Sequence, residues 1–202
     1  MGDKKQETIT KYLGDMKAVV SHVYTAMERQ KDEFKDQADV AQTIARVALS
    51  LKRQDDEIGG RLTALGGSPT HPVKEAVSEA FGVVAGLYNK VRTEGASKAL
   101  RDDHVALNLV FVSYTMLHTT ALAMGDTQTA DLAKRSFIEC SKFVIEFDQL
   151  IPAVVLRELQ DGDFGPLDAG APEQTRSAMG RGWNGADKSA DKSESRMTGE
   201  RT

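Results

Sequence analysis

The sequence predicts an all-α fold: four long helices, a short extra helix in the middle connection, and a polar tail. Three observations predict it. Apolar residues recur at steps of three and four in every long segment, the spacing that lines one face of a helix. No segment carries the strict apolar–polar alternation of a half-buried strand. Glycine and proline fall where the periodic segments stop, as at Gly66-Gly67-Ser68-Pro69 and at Gly125.

The first helix is expected from about Thr8 to Phe34. Ile9, Leu13, Met16, Val20, Val23 and Met27 form its stripe, and Thr8 or Thr10 could cap it. The second runs from about Asp39 to Leu65, with Val40, Ile44, Val47, Leu51, Ile58, Leu62 and Leu65 on one face. Gly59-Gly60 inside it costs about 1 kcal/mol per glycine relative to alanine, so a bend or a close helix contact is expected there. A shorter helix follows from Pro72 to Val91, with proline in its first turn.

The fourth segment, about Ser97 to Met124, is the most apolar. From Val105 to Gly125, 21 residues pass without an Asp, Glu, Lys or Arg. Leu100, Leu107, Phe111, Tyr114 and His118 project to one side, and Val105, Leu109, Val112 and Met116 to the other. A helix apolar all round is expected to be buried all round. A membrane span needs a similar length. Asn108, Ser113, Thr115, His118, Thr119 and Thr120 interrupt the run, and its neighbours are amphipathic, so the expectation is the central helix of a soluble bundle rather than a span. Its second apolar side predicts burial against another copy, a homo-oligomer. The last helix is expected from about Gln128 to Gln160, with Ala133, Phe137, Cys140, Val144, Phe147 and Ile151 as its stripe and a kink at Pro152.

Composition narrows the function. The chain has 202 residues, 40% hydrophobic and 28% charged, with a formal net charge of -4. Mild acidity argues against a nucleic-acid binder. A single cysteine, Cys140, excludes an intrachain disulfide framework and any Cys-rich zinc site. The opening MGDKKQETIT has no apolar stretch like that of an export signal, so a cytoplasmic protein is expected. Beyond Asp161 periodicity stops, and seven of the 17 glycines lie from Gly162 to Gly199. The domain reading is therefore a bundle over 1–162 and a flexible polar tail over 163–202, in which Trp183 could anchor a protein partner.

Four stretches carry a family resemblance: YLGDM in the first helix, LTALGGSP at the end of the second, SKALRDDHVALNLVFVSYTMLH in the fourth segment, and IPAVVLREL near the end. Over roughly residues 8–160 the chain resembles the stress-associated ferritin-like proteins of the YciE/YciF type. The resemblance implies a four-helix bundle with a crossover between its halves, built to hold two metals by inward carboxylates and a Glu-x-x-His pair on each of two helices.

Those ligands are not in the stripes. The inward positions are Val20, flanked by Val19 and Val23, on the first helix, and Leu51, with Gln54 one turn on, in the second. They are Val110, Phe111 and Tyr114 in the fourth segment and Cys140, Val144 and Phe147 in the last. Glu-x-x-His occurs nowhere. His118 on an apolar face reads as a hydrogen-bonded core histidine; as a functional residue it would be a lone metal or haem ligand. His22 projects away from its stripe, His71 lies in a turn between prolines, and His104 follows Arg101, Asp102 and Asp103. Asp55 is the sole acid near the second helix's core, and Gln54-Asp55-Asp56-Glu57 lacks calcium-loop spacing. Cys140 and the methionines Met16, Met27, Met116 and Met124 read as core filling. No phosphate-binding glycine loop is present.

The sequence thus assigns no catalytic, cofactor-binding or metal residue. The leading reading is a ferritin-like bundle without its metal centre, acting as a structural or protein-interaction module, without cofactors. The alternatives are a divergent metal-dependent oxidase or catalase-like enzyme, and a binder of a small apolar ligand.

Overall fold

The polar and apolar periodicity resolves into four long helices in a computed structural model that describes residues 3–68 and 95–182. They are α1 (Asp3–Gln30), α2 (Ala38–Ala64), α3 (Ala96–Met124) and α4 (Thr127–Gln160). Among the described residues there is no strand. The expected Pro72–Val91 helix, His71 and Trp183 lie outside the described residues.

Helix α1 begins five residues before the expected start. Its first turns, Asp3 to Glu7, hold no apolar residue, so periodicity could not reveal them. Thr8 is not a cap: its hydroxyl donates to the Lys4 carbonyl at 2.9 Å, one turn back inside the helix. Helices α2 and α3 end alike. Gly66 and Gly125 adopt positive φ, 78° and 79°, which a side chain would strain. The following amides, of Gly67 and Asp126, donate back to the Leu62 and Ala121 carbonyls at 2.9 Å, closing the last turn. Gly59 and Gly60 lie within a continuous helix; Gly59 is buried, and a Cβ on Gly60 would meet open space.

Helix α1 packs along both α2 and α3. All six residues of the α1 stripe are buried, with Val40, Ile44, Val47, Leu51, Ile58 and Leu62 of α2. Leu100, Leu107, Val110, Tyr114 and Leu117 of α3 and Ala133, Cys140 and Phe147 of α4 complete the core. Burying each large apolar side chain contributes about 1.5–3 kcal/mol.

Helix α3 departs from expectation. It is long and apolar enough to cross a membrane, yet only 33% of its most apolar window is buried. Leu100, Leu107 and Tyr114 face the core, whereas Val105, Val112 and Met116 are 45%, 50% and 54% exposed. Among the described residues, the Val105–Met116 side of α3 is left about half exposed.

The chain divides into two compact units, one ending at Phe147 and the other beginning at Asp148. The second unit contains the end of α4, with Pro152 inside the helix, and a further helix over 171–182. That helix falls where the sequence predicts a flexible tail. Its start is organised by Asp168, whose carboxylate accepts from the Gly170 amide at 2.7 Å and from Gln174 Nε2 at 3.0 Å. Pro172 in its first turn suits a helix start. Arg176 Nε donates to the Gln149 carbonyl at 3.0 Å.

Candidate functional site

Midway along the first unit, a polar cluster lies between α2 and α4, with Tyr114 of α3 close to it. The α2 stripe steps from Leu51 to Ile58, and the turn it skips is filled by Gln54, only 1% exposed. Gln54 Nε2 donates to Glu139 Oε2 at 3.0 Å and to Ser50 Oγ at 3.4 Å, while the Cys140 thiol points at Gln54 Oε1, 3.8 Å away. Arg53 reaches over the cluster, forming an ion pair with Glu139 and donating to Ser50 Oγ at 3.3 Å. Ser136 and Tyr114 are also buried.

This electrostatic environment quenches reactivity. Burial raises the Glu139 carboxyl, but hydrogen bonds from Arg53, Gln54 and Ser50 outweigh it and hold Glu139 below the ordinary carboxylate range. Glu139 Oε2 is therefore committed to two donors, Arg53 and Gln54. Burial pushes the Cys140 thiol up to about 12, so it stays protonated and is no nucleophile. Burial also pushes the Tyr114 phenol well up, outweighing the Ser136 hydroxyl beside it, which acts in the opposite direction.

A ferritin-like bundle implies a di-metal centre, and these residues do not fit one. The positions facing the interior are Val19, Val20 and Val23 on α1, Leu51 and Gln54 on α2, Val110 and Tyr114 on α3, and Cys140, Val144 and Phe147 on α4. Glu139 is the lone carboxylate in the cluster, and a guanidinium neutralises it. Such a centre needs about six protein ligands, several of them anionic. Among the described residues, no group of three or more His, Cys, Asp or Glu is placed to hold a metal ion.

The other candidate residues are dispersed. Asp55 is tied to α1: Lys17 Nζ lies 2.8 Å from its carboxylate, and Ser21 also donates to it. His118 is half-buried and packs edge-to-face on Phe137 at 5.4 Å. Phe111 is half-buried rather than inward, and packs on the same Phe137 at 6.2 Å. His22 is half-buried, and burial, with the Arg29 charge adding to it, lowers its pKa. Asn108 Nδ2 lies 3.3 Å from His104 Nδ1 and donates to the His104 carbonyl at 2.9 Å.

Two features escape the sequence. Asp102 and Asp103 are buried in the first turns of α3; Arg101 pairs with Asp102 at 2.9 Å, and Gln30, with its side-chain amide turned to present nitrogen, would donate to both Asp103 carboxylate oxygens. A groove of about 670 Å³ opens between α1 and α3, floored by Tyr12, Met16, Val19, Leu109 and Met116. Lys4, Glu7, Lys11 and Asp15 also line it.

The architecture is that of a ferritin-like helical bundle. The chain is similar to a solved protein of Xanthomonas campestris, at a TM-score of 0.65 and 17% identity over 78% of this chain and 97% of that one. An archaeal Dps homologue of Halobacterium salinarum superposes with a TM-score of 0.63 and 18% identity, over 85% of this chain and 88% of the other. The Dps protein of Vibrio cholerae, described as a member of a broad superfamily of ferritin-like diiron-carboxylate proteins, gives 0.62 and 14% identity, over 75% and 93%. At these identities the likeness is one of fold. No protein-family model matches the chain, and no curated protein is significantly similar in sequence.

Proposed function

We propose that this chain is a cytoplasmic ferritin-like bundle of the YciE/YciF type whose metal ligands have been replaced, and that it works as a non-catalytic, self-associating structural or protein-interaction module. One observation carries the reading. At mid-bundle, around Val20, Leu51, Val110 and Val144, the inward positions hold apolar or uncharged side chains, and Glu139, the carboxylate in the polar cluster there, is neutralised by Arg53. The cluster that remains between α2 and α4 is hydrogen-bonded rather than open, which suits a register-fixing role better than chemistry. The half-exposed Val105, Val112 and Met116 favour self-association. Net charge -4 gives no support for nucleic-acid binding.

Anaerobic titration with iron(II), followed by metal analysis of the desalted protein, tests the reading. The expected result is no saturable binding. Retention of about two equivalents, lost in a Glu139→Gln variant, would overturn it in favour of a divergent metal-dependent oxidase or catalase-like enzyme. The groove between α1 and α3 supports a second reading, a carrier of a small apolar ligand. Organic extraction of the native protein and mass spectrometry of the extract would detect such cargo.

A further inference from the structure

The outer faces of α1 and α3 share a symmetry that the chain's own packing does not use. On α1, Lys4, Glu7, Lys11 and Asp15 follow one another at steps of three and four, so they share one face. Lys4, Glu7 and Lys11 are exposed. Their signs run plus, minus, plus, minus. Read from the other end, the same row is its own complement. On α3, Val105, Leu109, Val112 and Met116 form the stripe that the core leaves open, with Leu109 and Met116 also lining the groove beside the α1 row. Lys4 to Asp15 and Val105 to Met116 are equal in length, about 17 Å at 1.5 Å per residue.

We propose that these two faces form a two-fold interface between copies of this chain. Helix α1 lies antiparallel to its counterpart, with Lys4 opposite Asp15 of the partner subunit and Glu7 opposite Lys11 of the partner subunit. The α3 stripe packs on itself in the same sense, with Val105 toward Met116 of the partner subunit and Leu109 toward Val112 of the partner subunit. This arrangement deepens, and rests on, the self-association proposed above.

The observations favour a second copy over other occupants. A two-fold interface must be self-complementary, and the α1 row satisfies that requirement. An anionic lipid surface would call for a basic excess, and the row sums to zero. A small ligand in the groove would leave Val105 and Val112 uncovered, because neither lines it. An apolar stripe beside a charged row is also the composition of stable interfaces, apolar at the centre and polar at the rim.

The test is charge exchange on the full chain, read by sedimentation equilibrium at 50–150 mM salt, with circular dichroism confirming the fold of each variant. Lys11→Glu sets like charges opposite each other and should weaken the dimer about tenfold or more. Glu7→Lys should do the same. The double variant Glu7→Lys/Lys11→Glu restores the pattern and should return the dissociation constant to within about threefold of the parent, since well-matched rim charges are interchangeable. Met116→Glu should dissociate the dimer at all practical concentrations. A dimer whose affinity is the same in all four variants would overturn this interface and leave self-association standing through another surface. A parent chain that is monomeric at about 100 µM would overturn both. Binding of the monomer to anionic vesicles that is abolished by Met116→Glu would replace the second copy with a membrane surface.

Discussion

Asp126 accepts from two residues through both of its oxygens, and its removal should be a damaging single change to stability. Its side chain is 3% exposed. It caps α4 by accepting from the Thr129 amide at 3.0 Å and the Thr129 hydroxyl at 2.7 Å. It also takes a two-pronged contact from Arg61, with both oxygens 2.8 Å from Nη2. Each partner suits its place: a cation in the last turn of α2 and an anion before the first turn of α4 both oppose the helix dipoles. Losing a cap costs about 1 kcal/mol. Leaving the partner of a fully buried ion pair alone costs about 3–5 kcal/mol. Arg61 is 15% exposed and keeps Gln128 Oε1 at 2.6 Å and Thr129 Oγ1 at 2.9 Å, so roughly half of that applies. Asp126→Ala should therefore cost about 3 kcal/mol, a large share of the 5–15 kcal/mol typical of a domain. Asp126→Asn keeps a cap oxygen and should cost less, about 2 kcal/mol. Urea unfolding followed by far-ultraviolet circular dichroism measures both. A double-mutant cycle with Arg61→Ala should show coupling of about 1–2 kcal/mol. A loss below about 1 kcal/mol for Asp126→Ala, or no coupling to Arg61, would refute the reasoning.

Three further outcomes follow from the same structure. Burial raises the Asp126 carboxyl, but Arg61 and Thr129 together hold it below its ordinary 3.8; a depressed folded value means the contribution is complete above the unfolded value and lost as pH falls through the folded one, so stability should decline below about pH 4, and less steeply in Asp126→Ala. Tyr114→Phe removes a fully buried hydroxyl whose neighbour is Ser136, so unfolding free energy should fall by no more than about 1 kcal/mol; a larger loss in urea unfolding would refute this. Cys140, buried and held protonated, should resist a thiol-reactive dye in the native state and react at a rate that tracks global unfolding in urea; fast native labelling would show the interior of the bundle to be open.

The bundle was legible because its helices obey local rules. Stripes of period 3.6 and two positive-φ glycines placed α2, α3 and α4 to within about one residue at each end. The start of α1 was not legible because Asp3 to Glu7 carry no apolar residue, and the helix over 171–182 was missed for the same reason: its start rests on a carboxylate and a proline, not on a stripe. The interior cluster had one visible trace, the turn of α2 where Gln54 interrupts the stripe. Its other members, Ser50, Ser136 and Glu139, are ordinary helix-surface residue types whose burial depends on which helix arrives opposite. The second side of α3 was read as apolar and as burying against another copy; periodicity reports what a residue prefers and not which neighbour covers it, and Val105, Val112 and Met116 are about half exposed in the single chain.

Helix α4 runs for 34 residues, and Pro152 stands inside it. Proline has no amide hydrogen, so the carbonyl one turn earlier, that of Asp148, loses its helical donor. The division between the compact units falls between Phe147 and Asp148, at that same carbonyl. Cooperativity in a helix passes from residue to residue through its hydrogen-bonded ladder, and here one rung is missing. Thermally and mechanically, α4 is a rod with a scored line. The amides up to Phe147 should exchange with solvent at the rate set by the bundle's core, while those beyond Pro152 open on a faster clock of their own.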